Sequence, residues 1–237
     1  MKKILWWNLG HIFFWNPLNW LKFLRKERMD CYFRPKNGKK ISDWVKKEDF
    51  DVITFGEIEK PEDMKYFDLP DHTYTDWIHS QYHIHGRCIL SKLPFIKITE
   101  KIEGIVMVGY EFEDYVLIPV HLHFSSTHIR LLQIMSYLMF IDQQNKPVFL
   151  AGDFNIWCIN GTFQLWKGDE MSYILLKENL HESSEKITTT EILPGFKLDY
   201  LFVSPVCQDA IICQVPKNFP HIQTDHKPIE FMVNIKQ

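Results

Sequence analysis

Several short apolar runs in this chain each end on one polar or ionisable side chain, and this feature constrains the fold more than any other. Ile4-Leu5-Trp6-Trp7 runs into Asn8, and Val52-Ile53-Thr54-Phe55 into Gly56-Glu57. Pro119-Val120 precedes His121, and Phe149-Leu150-Ala151 leads through Gly152 to Asp153. Runs this short, bounded by polar residues, read as strands buried on both faces. A carboxylate at the end of such a strand is costly to bury unless a partner meets it. The pattern therefore predicts a sheet protein that gathers polar groups at its strand ends.

Residues 3–8 and 51–55 form two of the expected strands, the second ending near Glu57, and further strands are expected at 72–79, 85–91, 94–102, 104–112 and 115–123. Glu113-Asp114 between the last two reads as a hairpin turn. Ile41, Trp44 and Val45 stand at helical spacing. Ser126 is an expected N-cap for a helix over 128–143, with Ile129, Leu132, Ser136, Met139 and Phe140 as its stripe. Pro147 closes that helix and a strand over 147–151 follows. A helix is expected at 169–179, then strands near 187–191, 197–203, 209–215 and 229–235. Many strands separated by a few long helices predict an α/β fold, a four-layer sandwich of two packed mixed β-sheets flanked by helices. Neither repeats nor Pro/Gly/Ser-rich linkers divide the 237 residues, so residues 1–237 read as a single domain.

The 46% hydrophobic and 24% charged content is that of a water-soluble globular chain. A net charge of −3 argues against a dedicated sequence-independent nucleic-acid binder, but leaves room for an enzyme with a local basic patch. The five cysteines are odd in number, widely spaced and without a C-x-x-C pair, which favours a reducing compartment. Met1-Lys2-Lys3 and the apolar run after it resemble the start of a signal peptide. The run breaks at Asn8-Leu9-Gly10-His11 without a small-x-small site, and a cytoplasmic protein is expected.

The segment Gly152-Asp153-Phe154-Asn155 offers an anionic acceptor and a neutral donor two residues apart. In an extended chain both would face one side, where they can orient water and hold a phosphate oxygen. Outside such a setting, D-x-N is an ordinary Asx-turn. Glu57 suits a hard cation such as Mg²⁺, which prefers carboxylate and water oxygens. His121 and His123 share a face and hint weakly at zinc; His121 is the expected functional one. Lys197-Leu198-Asp199-Tyr200-Leu201-Phe202 embeds an acid in a strand, and Thr224-Asp225-His226 sets an acid beside a histidine. A histidine oriented by a distant aspartate can act as a base or electrophile near neutral pH.

Taken in order, Asn8, Glu57, His121, Asp153 with Asn155, Asp199 and Asp225-His226 make the chain resemble the endonuclease/exonuclease/phosphatase superfamily. Gly86-Arg87-Cys88-Ile89-Leu90-Ser91 and the Arg130-x-x-Gln133 helix extend the resemblance over nearly the whole length. The resemblance implies a Mg²⁺- or Mn²⁺-dependent phosphohydrolase. In it Glu57 binds the metal, Asn8 and Asp225 support it, and Asp153 orients or activates water. Asn155 holds the phosphate, Asp199 fixes His226, and His226 with His121 stabilises developing charge.

Three features depart from that pattern. Gly10 stands where abasic-site endonucleases carry an acid. Residues 83–87, where pancreatic-type deoxyribonucleases carry a glutamate for the first histidine, hold His83, His85 and Arg87 instead. Asn8 and Glu57 are 49 positions apart, and the extra length includes an aromatic stretch over 13–25. That stretch reads as a packed helix, a stacking platform for bases, or an amphipathic lipid anchor.

The expected substrate is a nucleic acid, DNA or RNA, with Lys39, Lys40, Lys46 and Lys47 either meeting its backbone or forming a solvated helix face. A phospholipid or soluble phosphate ester is the alternative. A non-catalytic binding protein of the same fold and a zinc hydrolase complete the range.

Overall fold

The computed structural model describes residues 1–10, 35–82, 85–159, 167–189, 196–222, 224 and 226–235. The aromatic stretch 13–25, His83 and Asp225 lie outside the described residues. Among the described residues, twelve strands and three α-helices follow one another as β1 (Lys2–Asn8), α1 (Pro35–Glu48), β2 (Val52–Ile58), β3 (Tyr74–His79) and β4 (Gly86–Ser91). Then come β5 (Ile96–Ile102), β6 (Ile105–Glu111), β7 (Val116–His121), α2 (Thr127–Asp142), β8 (Val148–Ile159) and α3 (Lys167–Asn179). The chain closes with β9 (His181–Glu182), β10 (Phe196–Val203), β11 (Ile211–Gln214) and β12 (Ile229–Val233). Short 3₁₀ turns at Pro61–Tyr66 and Pro205–Ala210 link some of these.

The strands make two six-stranded sheets, ordered β11-β12-β1-β2-β4-β3 and β5-β6-β7-β8-β10-β9. Each sheet carries one parallel pair at its centre, β1 with β2 and β7 with β8, and antiparallel neighbours around it. Both sheets are therefore mixed, as the sequence predicts. Alternation along each strand feeds two layers. On β1, Ile4 and Trp6 enter the core between the sheets with Leu117, Phe149 and Phe231. Leu5 and Trp7 face the other way and pack with Trp44 and Val45 of α1. On β7, Ile118 and Val120 pack outward against Tyr137 and Phe140 of α2 and Leu176 of α3. Three apolar layers between four secondary-structure layers result.

Two expectations are corrected. Residues 187–189 of the expected 187–191 strand form none, because Thr189 is used differently. Its hydroxyl accepts hydrogen bonds from the Leu198 and Asp199 amides, and its carbonyl accepts one from Lys227 N–H. The stripe expected on α2 is also rotated: Leu132 and Met139 are exposed, while Arg130, Gln133, Ile134, Ser136, Tyr137 and Phe140 face inward. Ten of the sixteen positions of α2 are apolar and they fall all round the helix, so hydrophobicity did not mark a face, and polar contacts of Arg130 and Gln133 set its rotation. Ser126 does cap it, accepting from Ile129 N–H.

Candidate active site

The two parallel ladders end at one edge. Asn8 lies opposite Gly56 across β1 and β2, and His121 opposite Asp153 across β7 and β8. Asp199 on β10 pairs with Asp153 from the other side. Ligand sites in α/β sheets commonly form at the carboxyl ends of parallel strands, for the same topological reason.

Glu57 sits on a bulge, where the β2–β4 register shifts between Gly56 and Ile58, and its φ is +58°. Asn155 has φ +50°. Non-glycine residues held there cost on the order of 1–3 kcal/mol each, and such strain concentrates at functional sites. At Gly152 a Cβ would fall 2.0 Å from the Val120 carbonyl, so only glycine lets β8 approach β7 closely enough to set Asp153 beside His121. The strand predicted to end at residue 151 continues as β8 to Ile159. The left-handed backbone at Asn155 breaks the plain alternation expected for Asp153 and Asn155.

Asn8 Nδ2 donates both to Glu57 Oε1 at 3.2 Å and to Asp153 Oδ2 at 3.0 Å, while its Oδ1 accepts from Gly10 N–H at 3.0 Å. His121 Nε2 stands 3.8 Å from Glu57 Oε1 and 3.7 Å from Asp153 Oδ2. On the opposite side His226 Nε2 is 3.8 Å from the same Asp153 oxygen. His226 Nδ1 meets Asp199 Oδ2 at 2.7 Å, and Asp199 Oδ1 accepts from Trp6 Nε1 at 2.8 Å. Both Asp199 oxygens are thus engaged, and the imidazole is turned so that Nε2 points at Asp153. Asp153 Oδ1 accepts from Asn155 N–H at 2.8 Å, an Asx-type turn, and Asn155 Nδ2 donates to Leu122 O at 2.8 Å. The turn and the site coexist in one segment.

Glu57, His121 and Asp153 can offer ligand atoms within 4.8 Å of one another, as can Asp153, Asp199 and His226. Burial pushes the Asp153 carboxyl up to about 8; nearby His226 opposes this and Asp199 adds to it. A cluster of buried carboxylates whose shared member resists ionisation is a donor set that fits a hard divalent cation.

The structure thus joins Asn8, Glu57, His121, Asp153, Asp199 and His226, with Asn155 tied in through Asp153 and Leu122. His123 turns away, its Nδ1 accepting from Ser125 and Ser126 amides, and burial holds its pKa below the usual value. Sequence reasoning missed the supports. Trp6 holds Asp199, Trp7 Nε1 donates to His226 O, and Thr224 Oγ1 donates to Asn8 O. Two tryptophans directly before Asn8 were a usable signal, since neighbours on a strand face opposite layers. Arg130 pairs with Asp169 and donates to the His123 and Phe124 carbonyls, while Gln133 accepts from His123 N–H. These bonds fix the loop after His121.

Comparison with known proteins agrees with this geometry. The model of the endonuclease/exonuclease/phosphatase family matches residues 5–226. The chain belongs to this family. Among solved structures, an AP endonuclease from Archaeoglobus fulgidus aligns with a TM-score of 0.67 at 12% identity, covering 99% of this chain and 100% of that one. A mannosyl-6-phosphatase from Bacteroides thetaiotaomicron aligns at 0.61 and 14%, with the same coverage. A conserved protein of unknown function from Enterococcus faecalis aligns at 0.62 and 14%, again over 99% and 100%. These likenesses establish the four-layer fold. No curated protein sequence matches the chain. The family members named in its description act on phosphate esters, so the reaction class is phosphoester hydrolysis. Among the described residues no helix is long and apolar enough to cross a membrane.

Proposed function

We propose that residues 1–237 form one catalytic unit, a Mg²⁺- or Mn²⁺-dependent hydrolase that cleaves phosphodiesters of nucleic acids. The observation that carries the reading is the convergence of Asn8, Glu57, His121, Asp153, Asp199 and His226 on one edge, with Asp153 shared by both possible ligand groups.

Glu57 and Asp153 would hold the cation from either side of Asn8, with Asp225 next to His226 in sequence as a further acid. A bound divalent ion supplies charge to offset the carboxylates and to polarise a phosphoryl oxygen. Asn8 positions both Glu57 and Asp153 through one amide nitrogen. Asp153, held by Asn8 and the Asn155 amide, is placed to accept a hydrogen bond from the attacking water and take its proton. Asp199 accepts from His226 Nδ1–H, so that Nε2, when it too carries a proton, donates to the phosphoryl group. His121 and His226 flank Asp153 at similar distances and stabilise charge that grows on the phosphoryl oxygens. Asn155 sets Asp153 by its amide and lends a donor near the phosphate.

A soluble phosphate ester is the second reading, supported by the net charge of −3, which gives no long-range attraction to a polyanion. The free thiols of Cys88, Cys207 and Cys213 favour a reducing compartment such as the cytoplasm. The test is turnover with Mg²⁺ and with Mn²⁺ on plasmid DNA, single-stranded DNA, RNA, sphingomyelin and a sugar phosphate. Cleavage of a nucleic acid, stopped by EDTA and restored by Mg²⁺, is the expected result. Turnover of the sugar phosphate alone would move the assignment to the second reading, and turnover unaffected by EDTA would refute metal dependence.

A further inference from the structure

A cavity of about 30 Å³ is lined by His79, Ser80, Arg87, His121, Gln133 and Tyr137, among others. Arg87 is 5% exposed. It comes from β4 and reaches towards the other sheet, where Nη1 donates to Pro119 O at 2.5 Å and approaches Tyr137 OH at 3.4 Å. Its Nε has no hydrogen-bond partner, and Arg87 makes no ion pair among the described residues. Asp76 on neighbouring β3 is taken up by Tyr110 OH at 2.8 Å and Lys97 Nζ at 2.7 Å.

A guanidinium cannot shed its proton in a protein, so burial cannot neutralise it as it would a lysine. A buried charge without a counter-charge is strongly unfavourable. A carbonyl and a phenol oxygen solvate the cation but do not cancel it. No carboxylate lines the cavity among the described residues; its polar lining is a guanidinium, two imidazoles, two hydroxyls and amides. We infer that this cavity binds one small monovalent anion, of the halide class, as the counter-ion of Arg87. Space of this order holds one or two water molecules. It suits a single halide and falls short of a tetrahedral phosphate or sulfate. The ion would neutralise Arg87 and firm the wall on which His121 rests. The inference stands on Arg87 and its surroundings and is independent of the phosphoester reading.

Two measurements test it on the full chain in EDTA. Crystals equilibrated in bromide should give an anomalous peak within hydrogen-bond reach of Arg87. Thermal unfolding at fixed ionic strength should give a higher Tm in sodium chloride than in sodium gluconate. The Arg87→Gln variant should lose that difference. The bromide measurement uses the native chain and holds even where Arg87→Gln does not fold. No bromide peak in the cavity, together with equal Tm in chloride and gluconate, would overturn the inference.

Discussion

Asp153 governs the charge balance of the site. Its folded pKa near 8 stands above the usual 3.8, because burial and neighbouring acids disfavour the ionised form. The native state therefore keeps a proton that the unfolded chain releases. The contribution to stability is complete below about pH 4 and disappears as pH rises through about 8. In EDTA, Tm should fall between pH 5 and pH 8.5, and Asp153→Asn should flatten that fall; parallel curves for the two proteins would contradict the pKa assignment. In turnover, Asp153→Ala and His226→Ala should each lose at least on the order of 10²–10³ in rate while keeping a native circular dichroism spectrum. Gly10 is a subtler case. A Cβ there would stand 1.7 Å from Glu57 Oε2, so Gly10→Ala should displace the carboxylate and weaken Mn²⁺ binding about tenfold by calorimetry, and unchanged affinity would contradict this. Glu57, His121, Asp153 and Asp199 stood out in the sequence because each ends or interrupts an apolar strand, and His226 stood out beside Asp225. Thr189 and Thr224 did not, since threonine is an ordinary strand residue, and the position of Trp6 and Trp7 before Asn8 was a signal that sequence reasoning left unused. Only the folded register shows which N–H or hydroxyl meets Asp199, His226 or Asn8.

Among the elements, α2 shows how a helix can be set by polar contacts in an apolar sequence. Arg130 and Asp169 are both buried and paired, and Asp169 also accepts from Trp157 N–H. Removing one partner leaves the other charge stranded, at about 3–5 kcal/mol. Arg130→Met should therefore lower unfolding free energy by that order, and adding Asp169→Leu should recover much of it. A double variant no better than the single one would show that Arg130 acts through the His123 and Phe124 carbonyls instead. The extents of α2, α3 and most strands were readable from apolar runs, caps and turns. The inward face of α2 was not, because its ten apolar side chains are spread round the helix and carry little phase. Residues 187–189 of the expected 187–191 strand failed to form one for a different reason. Thr189 gives its hydroxyl to the start of β10, a local contact that β-propensity does not reveal.

For the molecule as a whole, the two central parallel pairs explain why positions from 8 to 226 meet. Each parallel pairing ends at the same edge, at Asn8 with Gly56 and at His121 with Asp153, and packing the sheets face to face sets the edges together. The sandwich class followed from the number and spacing of buried runs. The order of strands within each sheet did not, since it depends on pairings between residues far apart in sequence. The convergence of Glu57, His121, Asp153, Asp199 and His226 on one cation and one phosphoryl group is the claim on which the rest stands. Crystals grown with Mn²⁺ and phosphate test it most directly. The expected density is an anomalous manganese peak about 2.0–2.3 Å from a Glu57 oxygen, with a phosphate in contact with His121 and His226. Manganese bound away from Glu57, or phosphate lodged away from both histidines, would contradict it.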